Sequence, residues 1–204
     1  MLKNKKVFQF RVSLLHIFPE IWRCIQIADS CTFWDLHVAI QDSMGWNDSH
    51  LHEFTVKDPS TLKDVEIGIP DDEGFDDREV LPGWEINVIH YLLSGYNSDF
   101  VYMYDFGDSW KHLIKFEGVH DKNYRGKYPK CISGERACPP EDVGGEPGYE
   151  RFLEIISNPG HEEYKEMVTW AGKKFNPEKF DANKVKFDNP DVRWRRAFTD
   201  SHEF

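Results

Sequence analysis

The chain has 204 residues, 40% hydrophobic and 15% aromatic, which is enough to bury a core without disulfide staples. Its 25 Lys and Arg against 36 Asp and Glu leave a formal net charge of −11, which disfavours dedicated duplex-DNA binding because that depends on neutralising phosphates. No run approaches the ~18 apolar residues of a membrane span, and MLKNKK leads into a strand pattern and not into an apolar signal segment, so a cytoplasmic protein with reduced thiols and no membrane partner is expected.

Residues 7–15 (VFQFRVSLL) alternate as a strand, Pro19 interrupts, and residues 21–27 (IWRCIQI) resume the alternation, which predicts a hairpin. Thr32 is placed as an N-cap with Asp35 three residues on, and Phe33, Leu36, Ile40 and Met44 follow at helical spacing up to Gly45. A helix over Phe33–Met44 is therefore predicted. Residues 46–56 predict a turn and a third strand, and residues 67–70 a short fourth one. Residues 71–79 (DDEGFDDRE) hold six acids in nine positions and predict an exposed loop.

Residues 86–93 predict a turn or two of helix, ended by Gly95. Residues 100–106 and 111–119 predict a hairpin with Gly107, Asp108 and Ser109 at its tip. Residues 127–148 are rich in Gly and Pro and are expected to be irregular. Helices are predicted over residues 149–157 and 161–171, stopped by Asn158-Pro159 and by Gly172. Residues 175–204 are polar, and the last 25 or so are expected to be loosely ordered, with the short basic cluster RWRR at 193–196 as a solvated face. The sum is an α+β fold, ββαββ plus a hairpin on a largely antiparallel sheet, with a helical C-terminal subregion and all of 1–204 in one domain.

Two segments concentrate chemistry-bearing residues: YDFGDSWKH and CISGERACPPEDVGGEPGY. In the first, Asp105, Asp108 and His112 are candidate ligands for a divalent metal, or an acid and base. The competing reading is structural, since Asp in a turn bonds backbone amides and Gly supplies positive φ. In the second, Glu141 and Asp142 stand where a short helix could begin, and the Gly144 and Gly145 amides are candidate anion binders. Arg136 is expected to bridge to Glu141 or Asp142, or else to grip an anionic ligand. Cys131 and Cys138 are spaced poorly for zinc and are expected to be buried thiols, with Cys24 and Cys31 assigned to packing. His50 and His52 share one strand parity with Phe54 and Val56, which favours an inward structural role over chelation.

Across these motifs the chain resembles the plasmid pRiA4b ORF-3-like family. The resemblance rests on Tyr104 to Asp108, Trp110, His112, Cys131, Gly134, Arg136, Cys138 to Asp142, Gly144, Gly145, Gly148 and Tyr149. It extends to Trp22-Arg23, Leu36-His37, the HLHEF run at 50–54 and Trp170-Ala171-Gly172. It implies a fold family without an established activity. Some relatives bear mobile-element or resolvase labels, yet the first thirty residues offer no Ser nucleophile framed by arginines. Three readings follow. The first is a non-enzymatic binding or interaction module with a protein or small-molecule partner, set in mobile-element biology. The second is a metal-assisted hydrolase or nuclease using the two motifs. The third is an anion or nucleotide sensor.

Overall fold

The computed structural model describes residues 5–70, 78–92, 98–123 and 125–199. Strands β1 (Lys6–Leu14) and β2 (Trp22–Ala28) form the predicted hairpin, paired from Val7 opposite Ala28 to Ser13 opposite Trp22. Helix α1 (Phe33–Met44) follows with the predicted capping box: Thr32 accepts from the Asp35 amide and Asp35 accepts from the Thr32 amide. Gly45 ends it at φ 90°, a conformation that glycine adopts without a Cβ penalty. Strands β3 (His52–Lys57), β4 (Asp64–Gly68) and β5 (Val80–Pro82) come next, then β6 (Phe100–Tyr104), β7 (Trp110–Asp121) and β8 (Lys130–Glu135). Helices α2 (Gly145–Ser157), α3 (Tyr164–Trp170) and α4 (Pro190–Phe198) follow.

The eight strands form one sheet in the order β5-β4-β3-β6-β7-β1-β2-β8. Every pair is antiparallel except β4 with β5. The architecture is thus the expected α+β class with a helical C-terminal part. Phe10, Val12, Ile25, Phe54, Phe100, Tyr102 and Ile114 are buried beneath α1, whose own Phe33, Leu36, Ala39 and Ile40 are buried too. The opposite face of the central strands is polar. There Gln9 bonds Gln26 and Glu117, and the Arg11 guanidinium lies 3.8 Å from the Trp22 ring centroid. One apolar and one polar face is the ordinary economy of an antiparallel sheet.

Several expectations need correction. Residues 127–148 are not wholly irregular, because β8 pairs with β2 across a bulge between Cys24 and Ile25. The bulge and Gly134 hide the alternation. Gly134 is required where the C-terminal segment crosses: a Cβ there would sit 2.6 Å from the Phe180 ring and from the Trp22 carbonyl oxygen. The three-residue β5 is too short to register in a pattern, and Pro82, without an N–H, is tolerated because β5 is an edge strand. The expected helix over residues 86–93 is a 3-10 turn over Val88–Tyr91. Leu93 and Gly95, and residues 71–77 of the expected acidic loop, lie outside the described residues.

The C-terminal region is also more ordered than its composition suggested. Asn189 caps α4, and Arg193 reaches Asp42 at 2.6 Å, Asp188 at 2.7 Å and Asp48 at 3.5 Å. Trp34 Nε1 donates to the Pro190 carbonyl at 3.0 Å, and Trp84, Trp194 and Phe198 pack ring on ring. Arg193 is therefore a half-buried anchor and not part of a solvated face. A charged residue's pattern does not reveal that Asp42, 151 positions away, will bind it.

Candidate functional site

The turn after β6 starts at Asp105, which adopts φ 56°. Its Oδ1 accepts from the amides of Gly107 at 2.9 Å and Asp108 at 3.3 Å, closing the tip as an aspartate turn. Its Oδ2 lies 3.6 Å from His50 Nε2. The 138–145 loop arrives from the other side. Asp142, at φ 56°, places Oδ1 2.8 Å from the same His50 nitrogen. One ligand atom each from His50, Asp105 and Asp142 thus falls within 4.8 Å of the others.

The two motifs meet through further bonds. Gly144 N–H donates to Asp108 Oδ2 at 3.0 Å, so the helix-start amide holds an anion, but it is the chain's own. Gly145 sits so close that a Cβ would lie 2.7 Å from the Asp108 carbonyl oxygen. Glu141 accepts from the Asn47 amide at 2.6 Å and from the Tyr104 hydroxyl at 3.1 Å. Burial pushes the Glu141 carboxyl above its ordinary range despite these bonds. Asp105, Ser109 and Asp142, three of the described non-glycine residues at positive φ, stand at this junction. Such backbone persists only when its surroundings hold it, and it concentrates at functional sites.

Asp142 also lines a cleft of about 670 Å³ between α2 and α3, together with Arg151, Phe152, Met167 and Trp170 among others. Arg151 is held there by Glu163 at 2.9 Å. The loop depends on Gly148, where a Cβ would fall 2.0 Å from the Val143 carbonyl oxygen, closer than any relaxation of a side chain can relieve. Gly148→Ala is expected to force the loop open and cost about 1–3 kcal/mol, as overpacking does. Thermal denaturation checks this, and an unchanged melting temperature would contradict it.

Two candidates stand elsewhere. His112 is fully buried, opposite Tyr102 in the β6–β7 pairing, with Trp46 edge-on at 5.3 Å. Strand parity turns it inward while Asp105 leaves the strand through its left-handed turn, so tip and histidine diverge. Burial pushes its pKa down to about 3. Arg136 binds Glu178, not Glu141 or Asp142. The four cysteines are free and buried, as expected. Burial, with Glu117 nearby, pushes the Cys24 thiol up to about 12.

The residue that completes the junction is His50. It precedes β3, so its strand parity with His52 carries no meaning, and the available signal was its place in a polar turn. His52 itself is buried with Phe54 and Val56, as its parity suggested. A second group, His37, Asp48 and His52, also brings ligand atoms within 4.8 Å. Its imidazoles stack with centroids 3.4 Å apart and planes 8° from parallel. In-plane lone pairs of two stacked rings cannot meet on one ion, so this group is a core element. His37 bonds Asp48 at 2.8 Å and the Tyr102 hydroxyl at 2.9 Å.

Fold and junction together define an α+β protein whose two densest motifs close on one surface. A family model described as plasmid pRiA4b ORF-3-like protein matches residues 6–184, and the chain belongs to that family. It is similar to the uncharacterized protein y4hQ of Sinorhizobium fredii, 33% identical over 166 residues and 81% of each chain. A crystal structure of MM3350 from Methanosarcina mazei Go1, a protein of unknown function, superposes with a TM-score of 0.82 at 38% identity, covering 91% of this chain and 100% of that one.

Proposed function

We propose that this single-domain protein is a binding module whose ligand is engaged through a divalent cation held by His50, Asp105 and Asp142. The observation that carries the reading is the convergence of three ligand atoms within 4.8 Å, one of them from Asp142, which also lines the α2–α3 cleft. One imidazole and two carboxylates suit Mn²⁺ or Zn²⁺. Asp108 supports the loop through Gly144, and the cleft receives the apolar part of the ligand against Phe152 and Trp170. Buried free thiols support a reducing, cytoplasmic setting. The net charge of −11 weighs against duplex DNA as the partner, and the family's plasmid name is the support for a mobile-element setting.

Glu141 favours a second reading, metal-assisted hydrolysis. Its raised carboxyl feels both His50 and Asp142, where it could accept a proton from a metal-activated water.

Titration with Mn²⁺ or Zn²⁺, followed by calorimetry and thermal denaturation, tests the first reading. A hundredfold excess over the dissociation constant is expected to stabilise the fold by about 2.7 kcal/mol. His50→Ala and Asp142→Asn should each abolish the effect. A wild-type protein unmoved by both metals, or variants that respond as it does, would end the proposal.

A further inference from the structure

On another part of the surface, a groove of about 830 Å³ runs between the start of β8 and the C-terminal segment at 182–190. Its lining includes Lys127, Lys130 and Lys186, with Tyr128 and Phe187. All three lysines are exposed, and none has an ion-pair partner among the described residues. Asp188 is the one acid among the described residues of the lining, and it is committed to Arg193 at 2.7 Å. Lys122 adds a fourth positive charge, with its Nζ 5.4 Å from the Tyr128 ring centroid. In sequence, residues 122–130 (KNYRGKYPK) hold four Lys or Arg and no acid, in a chain of net charge −11. A local field opposite to that of the whole molecule draws anions to this groove.

We infer that the groove binds a nucleoside polyphosphate. Three uncompensated ammonium groups call for a ligand of several negative charges, which phosphate chains supply. The aromatic side chains give a flat ring a surface to pack on. The volume lies within the ~300–1,000 Å³ of small-molecule sites. This site is separate from the His50 centre and requires no metal.

Isothermal titration with ATP at low ionic strength, with EDTA present, tests the inference. ATP is expected to bind, and added salt should weaken it. The combined change Lys127→Gln, Lys130→Gln and Lys186→Gln should reduce affinity by roughly tenfold or more, the effect of losing about 1.4 kcal/mol of contact energy. These exposed positions leave the core intact, which circular dichroism verifies. His50→Ala should bind ATP as the wild type does. Phe187→Ala should weaken ATP but not tripolyphosphate. Absence of ATP binding, undiminished binding by the triple variant, or tighter binding of a polyglutamate peptide than of ATP would each overturn the inference. Equal affinity for tripolyphosphate and ATP would remove the nucleoside from it.

Discussion

Lowering the pH from 7 to 5 is expected to destabilise the fold by about 2 kcal/mol through His112 alone, with His52 adding in the same direction. Both imidazoles are fully buried, and burial is the main cause that lowers both, His112 to about 3 and His52 well below its ordinary value. His37, stacked on His52, lowers it further. Below about pH 6.5 the unfolded chain takes up protons that the folded chain refuses. The unfolded state then binds more protons, so stability falls as pH falls, and the loss from His112 runs until the pH nears 3. Asp42 and Glu141, held above the ordinary carboxylate range by burial, act in the opposite sense as they protonate. Asp48, lowered by His37 and Arg193 against its own burial, stays ionised through this window. Urea denaturation at pH 7, 6 and 5 reads the slope directly, and His112→Gln should flatten it. Stability that does not change over this range, or a slope indifferent to the substitution, would contradict the assignment of buried neutral histidines.

Arg23→Ala is expected to cost about 3–5 kcal/mol, the scale of uncovering a buried charged network. Arg23 is 1% exposed. Its Nε donates to the Ser43 carbonyl at 2.8 Å, and its Nη1 donates to the carbonyls of Trp22 at 2.8 Å and Glu135 at 2.9 Å. Its guanidinium lies 3.6 Å from the Phe180 ring centroid. One side chain thus joins the last turn of α1, β2, the edge strand β8 and the C-terminal segment that crosses it. Ser43 lies at the negative end of α1, whose last turn has no basic residue of its own, so the cation also serves that dipole. Burial lowers the Arg23 pKa, yet an arginine stays charged. Alanine would leave three carbonyls without this donor and a void beneath Phe180. Arg23→Lys should recover little, because a single ammonium cannot reproduce the planar fork. Chemical denaturation measures both, and a loss below about 1 kcal/mol for alanine would show that the carbonyls find other donors.

The local signals of this chain were readable because they act over a few residues. The Thr32–Asp35 box, Gly45 and the spacing of Phe33, Leu36 and Ile40 specify α1 without reference to the rest. The alternation of β1 and β2, and the YDFGD turn, specify two hairpins in the same way. The motif residues by themselves point to the family. The inward position of His52 also follows from parity alone.

Tertiary structure decided which of those residues touch. Asp105 and Asp142 share an imidazole because β6 and β3 are neighbours in the sheet and the 138–145 loop folds back over their ends. No spacing along the chain encodes that distance. His112 left the cluster because its strand register opposes it to Tyr102, and Arg136 left because Glu178 crosses beside it. Arg193 and Arg23 became buried anchors only through partners brought from distant elements. Sequence periodicity reports which face of an element is apolar. It says nothing of which polar groups a packed neighbour will deliver to the other, and that delivery is what brought the two motifs into contact.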